Sequence, residues 1–286
     1  MKLFKRYYVK KLTMIKIAIY CVTYYSYKEL YNYLQSLDNA IANLSGITLS
    51  VFIADNTTDE YQQIDFSSFS HLTATLFPFH ENLGYFGAIR KMMIQTSPEE
   101  FQYIILSNVD VMVAPDFFQK LKNHSYTEDE GWIAPATISE ENGYDLSPQA
   151  TNRYSLLKLK ILLFLYKHPF IMRIYENTIY KTRRNIPHNA GTVYAGHGSF
   201  IILTNKYFSE CGIIDYPVFL YGEEIYLGEM CHLHGLKVNY IPELIVNDIG
   251  KVSTGKMKRD FYYQCNIEAI KYLINARERE TMAPSK

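Results

Sequence analysis

Apolar runs of four to six residues recur along the first hundred positions, and each stops at a small polar cluster. Residues 17–22, 49–54 and 72–77 read as strands, and 103–106 as a fully buried one. Between the first two, Leu30, Leu34, Leu37, Ile41 and Leu44 recur at helical spacing, which predicts a helix stopped at Gly46. A shorter helix is expected over 88–95. Strand, helix and strand in repetition predict a parallel sheet with right-handed crossovers. Strand ends then carry Thr23, Asp55, Asn82 and Asp110 to one edge of that sheet.

The second half has a different pattern. Residues 131–136 and 199–203 read as buried strands, 222–234 as a helix ended by Gly235, and 260–276 as a last helix. Between the two strands, residues 152–185 carry Arg153, Lys158, Lys160, Lys167, Arg173, Lys181, Arg183 and Arg184 against one acid, Glu176. Arg153, Lys160 and Lys167 are spaced to stripe one helical face, which reads as a basic amphipathic helix broken at Pro169 and suited to a membrane surface, or as a helix packed on the domain with its lysines snorkelling to solvent. With no repeat and no linker, a single domain over 1–286 is expected.

Composition narrows the function classes. The chain has 286 residues, 29 Lys and Arg against 29 Asp and Glu, so no net charge recruits nucleic acid. Cys21, Cys211, Cys231 and Cys265 are far apart and read as free thiols in a reducing compartment. Cys231, His232 and His234 fit a helix C-terminus better than a zinc site, since a second ligand pair is missing. No apolar run approaches the roughly 20 residues of a membrane span. The basic start, residues 1–13, has no apolar core or cleavage site of a signal peptide and reads as an anchor helix or as residues ahead of Met14.

The densest chemistry lies in Ser107-Asn108-Val109-Asp110, which closes a buried strand. Polar groups at strand ends are where open α/β sheets place ligands. Asn108 and Asp110 are two apart and would share a side of an extended segment. Their oxygens suit a hard divalent cation that keeps substrate phosphates as further ligands. A plain strand-to-turn junction would use the same residues.

Six segments occur in an order that resembles the family 2 glycosyltransferases of GT-A fold. They are residues 17–26 (IAIYCVTYYS), 51–60 (VFIADNTTDE), 81–88 (ENLGYFGA), 106–113 (LSNVDVMV), 196–200 (GHGSF) and 219–235 (FLYGEEIYLGEMCHLHG). Within that family the likeness is to the rhamnosyltransferase-like branch of bacterial surface polysaccharide synthesis, and it covers residues 16–253. The resemblance implies an α/β fold with a mostly parallel central sheet flanked by helices. Residues 14–113 would bind the nucleotide sugar, 114–250 the acceptor, and 251–286 would form a helical tail. Thr23 and Asp55 match positions that hold base and ribose. Tyr25, Asn56, Asn82, Gly84, Asn108, Val109, His197 and Gly198 complete the implied nucleotide-sugar site. Glycines 84 and 87 would admit a ligand to the backbone, and glycines 196 and 198 would leave room for a sugar ring. Asp110 matches the ligand of Mn²⁺ or Mg²⁺, and Asp248 stands where many members carry a metal- or phosphate-contacting His. Glu223 and Glu224 match the catalytic acidic pair, Glu224 in the place of the general base. The helix N-terminus is expected to hold it ionised, although helices favour acids in a first turn without any catalysis.

The implied enzyme is inverting. It moves one sugar from a UDP- or dTDP-linked donor to a hydroxyl of a lipid-linked glycan, in the cytoplasm or peripherally at the inner membrane face. Asn108, Glu224 and the missing late His depart from the usual pattern, and they motivate the alternative of a non-catalytic nucleotide- or glycan-binding relative. A sugar-nucleotide pyrophosphorylase would want glycines after the first strand, where this chain has Thr23-Tyr24-Tyr25-Ser26.

Overall fold

The computed structural model describes residues 14–180, 188–250 and 258–282. The expectations for residues 1–13, 181–185 and 251–257 lie outside those residues.

The chain forms a nine-stranded sheet covered on both faces. Strands β1 (Ile15–Thr23), β2 (Ile47–Asp55), β3 (Thr73–Pro78) and β4 (Tyr103–Ser107) lie parallel in the order β3-β2-β1-β4. The sheet continues through β8 (Phe200–Thr204), β6 (Glu130–Ser139), β9 (Lys237–Asp248) and β5 (Val111–Val113), with β7 (Gly191–Val193) also on β9. β8 runs antiparallel to β4 and β6, while β6 and β9 are parallel, so the second half is mixed. The fold class is α/β, as expected.

Side-chain alternation divides the core. Ile17, Ile19, Cys21, Val51, Ile53 and Ile105 face α1 (Tyr27–Ile41) and α3 (Phe117–Asn123), whose Leu30, Leu34, Leu37, Phe117 and Leu121 are buried against them. Ala18, Tyr20, Ile104 and Leu106 face α2 (Tyr85–Met93) and the later helices. Burial on both faces explains why these strands read as unbroken apolar runs. α1 stops at Ile41, before Leu44, and Gly46 takes φ 77° in the turn into β2.

Five later helices follow among the described residues. α4 (Leu156–Lys167) begins where Ser155 accepts the Lys158 amide, and Pro169 breaks it as expected, opening α5 (Pro169–Tyr175). α6 (Asn205–Cys211) follows β8, α7 (Glu223–Leu233) carries the acidic pair, and α8 (Arg259–Met282) is the expected terminal helix. Cys231 to His234 do lie at the end of α7, and all four thiols are free.

The basic stripe does not form. Arg153 precedes α4 and is ion-paired with Glu229 and Glu280, and Lys160 reaches Glu278 of α8 at 2.9 Å. These two cations face the protein because α8 presents acids to them. No described helix is long and apolar enough to cross a membrane.

Candidate active site

Register builds the nucleotide-side edge. Thr23 of β1 pairs with Asp55 of β2, and Cys21 with Ser107 of β4, so all three strands end together. β1 lies between β2 and β4, where the chain order reverses, and open α/β sheets form their ligand crevice at such a point. The Asn56 amide donates to the Thr23 carbonyl at 2.9 Å, and Asn56 Nδ2 to the Gly84 carbonyl at 3.0 Å. Asp55 accepts from the Thr57 amide at 3.0 Å and the Tyr27 hydroxyl at 2.9 Å. Its carboxylate is thus held rigidly in its loop. Tyr25 sits at the rim with φ 53°, 43% exposed, its hydroxyl on Thr58 and Asp59.

The second half closes on this edge through three contacts. Asn108 donates its amide to the Ser199 carbonyl at 2.9 Å, directly after His197 and Gly198. A Cβ on Gly198 would stand 3.3 Å from Glu224 Oε2, so the second acid of the pair lies against that loop. The Tyr85 amide donates to the Phe219 carbonyl at 3.3 Å, two residues ahead of Tyr221 and Gly222. Asp110, Asn108, His197, Gly198 and Glu224 therefore belong to one region, assembled from three distant stretches of chain.

A turn aims the acidic pair. Tyr221 and Gly222 have φ 72° and 81°, and a Cβ on Gly222 would come within 2.7 Å of the Tyr216 hydroxyl. Left-handed backbone at a non-glycine residue persists only where surroundings hold it. Here Tyr216 donates to the Tyr221 carbonyl at 2.8 Å, and Glu223 Oε1 accepts the Tyr221 amide at 2.9 Å. Glu223 is buried and tied to its own turn, whereas Glu224 keeps partial exposure. Burial pushes both carboxyls above the ordinary range, and the Glu224 charge raises Glu223 further. The amide at the helix N-terminus does pull Glu224 down, as the helix argument expects, but desolvation is the larger effect and the net shift is upward.

Other expectations are modified by packing. Gly84 has φ 71°, and a Cβ there would stand 2.1 Å from the Phe219 oxygen, so its close approach is to Phe219 and not to a ligand. Gly87 is in open contact, nearest Leu83 at 3.7 Å. A Cβ on Gly196 would strike Ala134 at 2.5 Å, so that glycine admits strand β6 and leaves no room for a sugar. Val109 is buried among the core residues facing α1, leaving only its backbone to meet a ligand. Asn82 Oδ1 accepts the Gly84 amide at 3.2 Å and shapes the loop, and His197 Nδ1 lies 2.9 Å from Ser199 Oγ.

Asp110 precedes β5 and its carbonyl accepts the Ile249 amide at 3.0 Å. Asp248 pairs with Val111, and its Oδ1 accepts the Gly250 amide at 3.0 Å. Paired residues share a face of an antiparallel ribbon, so Asp248 is aligned with Val111 and Asp110 is the stronger ligand candidate. Among the described residues no three His, Cys, Asp or Glu side chains gather as a metal cage. One buried carboxylate with neighbouring oxygens fits an ion of the Mg²⁺ class, which takes one or two carboxylates and substrate phosphates.

Sequence reasoning missed Tyr85. Its hydroxyl is buried without a hydrogen-bond partner among the described residues, as are Thr23 Oγ1 and Asn56 Oδ1. Burial pushes the phenol well above its ordinary range, and the charges of Glu223, Tyr33, Cys21 and Asp110 add to this. Carboxyls from both halves thus act on one phenol. Unpaired buried oxygens around a strand-end crevice call for a polar occupant. A separate cavity of about 240 Å³, lined by Lys16, Glu99, Gln102 and Asn205, lies at the opposite edge and touches none of these residues.

No protein-family model matches the chain, and no curated protein matches it in sequence. Solved structures match its fold. Staphylococcus aureus TarS superposes with TM-score 0.56 at 13% identity, over 92% of this chain and 39% of TarS. A structure of TarS 1-349 in complex with UDP-GlcNAc gives 0.54 at 12%, over 92% of this chain and 66% of that one. GalNAc-T7 with UDP, GalNAc and Mn²⁺ gives 0.55 at 14%, over 95% and 52%. The chain spans less than two thirds of the length of each. The fold is therefore that of the GT-A glycosyltransferases.

Proposed function

We propose that the chain is an inverting glycosyltransferase that moves one sugar from a nucleoside-diphosphate sugar to a hydroxyl of a glycan. The observation that carries this reading is the contact of Glu224 with Gly198, one residue from the Ser199 carbonyl that fixes Asn108. It sets a partly exposed carboxylate beside the strand-end crevice. In a single displacement, the acceptor O–H bond breaks and its proton passes to Glu224. The freed oxygen bonds to the anomeric carbon on the face opposite the diphosphate. The bond to the phosphate oxygen breaks, and its electron pair leaves with the nucleoside diphosphate. A carboxylate whose proton affinity is raised by burial is the better base.

Thr23, Asp55 and Asn56 would hold the nucleotide, with Tyr25 at the rim and Tyr85 below it. Held by Asp110 with help from Asn108 or Asp248, Mn²⁺ or Mg²⁺ would neutralise charge on the leaving diphosphate. A UDP-linked donor is favoured over a dTDP-linked one, since the matched structures carry UDP or UDP-GlcNAc. A lipid-linked acceptor and a place in bacterial surface polysaccharide synthesis follow from the sequence resemblance.

The test combines binding and turnover. Glu224→Gln is expected to retain donor binding and lose transfer, and wild-type turnover in that variant would remove Glu224 from the role. UDP should raise the unfolding midpoint more with Mn²⁺ than without it, and Asp110→Asn should erase the difference. Measurable UDP binding with no donor hydrolysis across a nucleotide-sugar panel would favour the non-catalytic alternative.

A further inference from the structure

We propose that the outer face of the consecutive helices α4 and α5 docks on an anionic lipid surface. The two helices are apolar on more than one side. Their inner side is used: Leu165 and Met172 pack with Tyr263 of α8, and Leu162 and Tyr166 join them. Their outer side is not. Leu157, Ile161 and Phe164 are 69%, 50% and 51% exposed, and their spacing places them in a row along α4. On α5, Phe170, Ile171 and Ile174 are 77%, 40% and 51% exposed. Six large apolar side chains within eighteen residues form the kind of patch that marks a partner surface.

Charge selects the occupant. Residues 156–175 contain no Asp or Glu. Lys158, Lys167 and Arg173 are exposed on the same two helices. A second copy seated face to face would bring these cations together with no acid between them. An anionic bilayer accepts both features, taking the apolar row below the headgroups and the cations among them. The sequence pattern placed the basic stripe toward the membrane. In the folded chain Lys160 turns instead to α8, and the apolar row takes the outward position.

Helix α4 also lies near the acidic pair. Tyr166 of α4 contacts Tyr262 of α8 with ring centroids 6.1 Å apart, and Tyr262 contacts Tyr221 at 5.1 Å. A bilayer on these two helices would hold lipid-linked acceptors close to the Glu224 turn. That consequence rests on the proposed transfer reaction; the lipid binding itself does not.

The test is co-sedimentation of the full chain with vesicles of phosphatidylcholine, with and without phosphatidylglycerol. The wild type should pellet with the anionic vesicles and much less with the neutral ones. Phe164→Ser combined with Phe170→Ser should weaken that binding by about ten-fold or more, while the unfolding midpoint holds because both rings are solvent-facing. Failure of the wild type to bind anionic vesicles at low salt overturns the proposal, as does a double variant that binds as tightly. A concentration-dependent dimer that the double variant dissolves, with no vesicle binding, would assign the face to a second copy instead. None of these readouts requires transferase activity, so a dead enzyme that binds vesicles would sink only the transfer reading.

Discussion

The Glu224 carboxylate lies over Gly198: a Cβ built on the glycine would stand 3.3 Å from Oε2 of the acid. The glycine's backbone lies outside the left-handed region, so alanine is conformationally allowed there, and its effect would be purely local. Gly198→Ala should therefore fold normally and displace the Glu224 carboxylate by a few tenths of an ångström. Misplacing a base by such amounts costs on the order of ten-fold or more in kcat. Steady-state kinetics should show the loss in kcat with little change in donor KM. An unchanged kcat would mean that Glu224 does not act where it is seen.

The buried acidic pair makes a second prediction, in stability. Burial raises the Glu223 carboxyl, and the Glu224 charge raises it further. The folded protein therefore binds a proton there that the unfolded chain, with an ordinary pKa of about 4.3, has already released. Stability should fall as pH rises from about 4.3 through the raised value, at about 1.4 kcal/mol per pH unit between the two. Glu223→Gln removes the ionisation, while its side-chain oxygen can still accept the Tyr221 amide. Urea unfolding should find the variant more stable than wild type near pH 7 and equal to it near pH 4. A variant less stable than wild type near pH 7, with the deficit shrinking toward pH 4, would show that Glu223 is ionised in the fold and stabilising.

Those two acids also show where a one-dimensional reading stops. β4 was legible because burial on both faces leaves an unmistakable run: every one of its residues is buried. α1 was legible from its periodic leucines. β5 and β7 are three residues each, too short to carry a period. The helix-dipole argument for Glu224 used only neighbours in sequence, while the desolvation that outweighs it comes from the tertiary fold. Gly84 and Gly196 were recognised as places of close approach, but what approaches, Phe219 and Ala134, is set by residues far along the chain. The cationic stripe failed for the same reason, since spacing cannot say which side of a helix meets α8.

What α8 meets is an ion network around Glu229, and this supports the last prediction. Glu229 accepts from Arg153 Nε at 3.1 Å, Tyr194 OH at 2.5 Å and Arg277 Nη1 at 3.3 Å, and Arg153 also reaches Glu280 at 2.6 Å. One carboxylate of α7 thereby joins the segment before α4, the residue after β7 and the terminal helix. Burial alone would raise its pKa, but hydrogen bonds and charge from these partners outweigh it and hold it below the ordinary value. Its stabilisation is thus present above the unfolded pKa and lost as pH falls through the folded one. Glu229→Ala would leave two arginines half-buried without their central acid, at a cost of about 3 kcal/mol. Denaturant titrations at pH 7 should show that loss, and the gap between variant and wild type should close below about pH 4. A gap under about 1 kcal/mol at pH 7 would place the network in the class of exposed ion pairs that hold little together, and the attachment of α8 would then rest on its aromatic contacts alone.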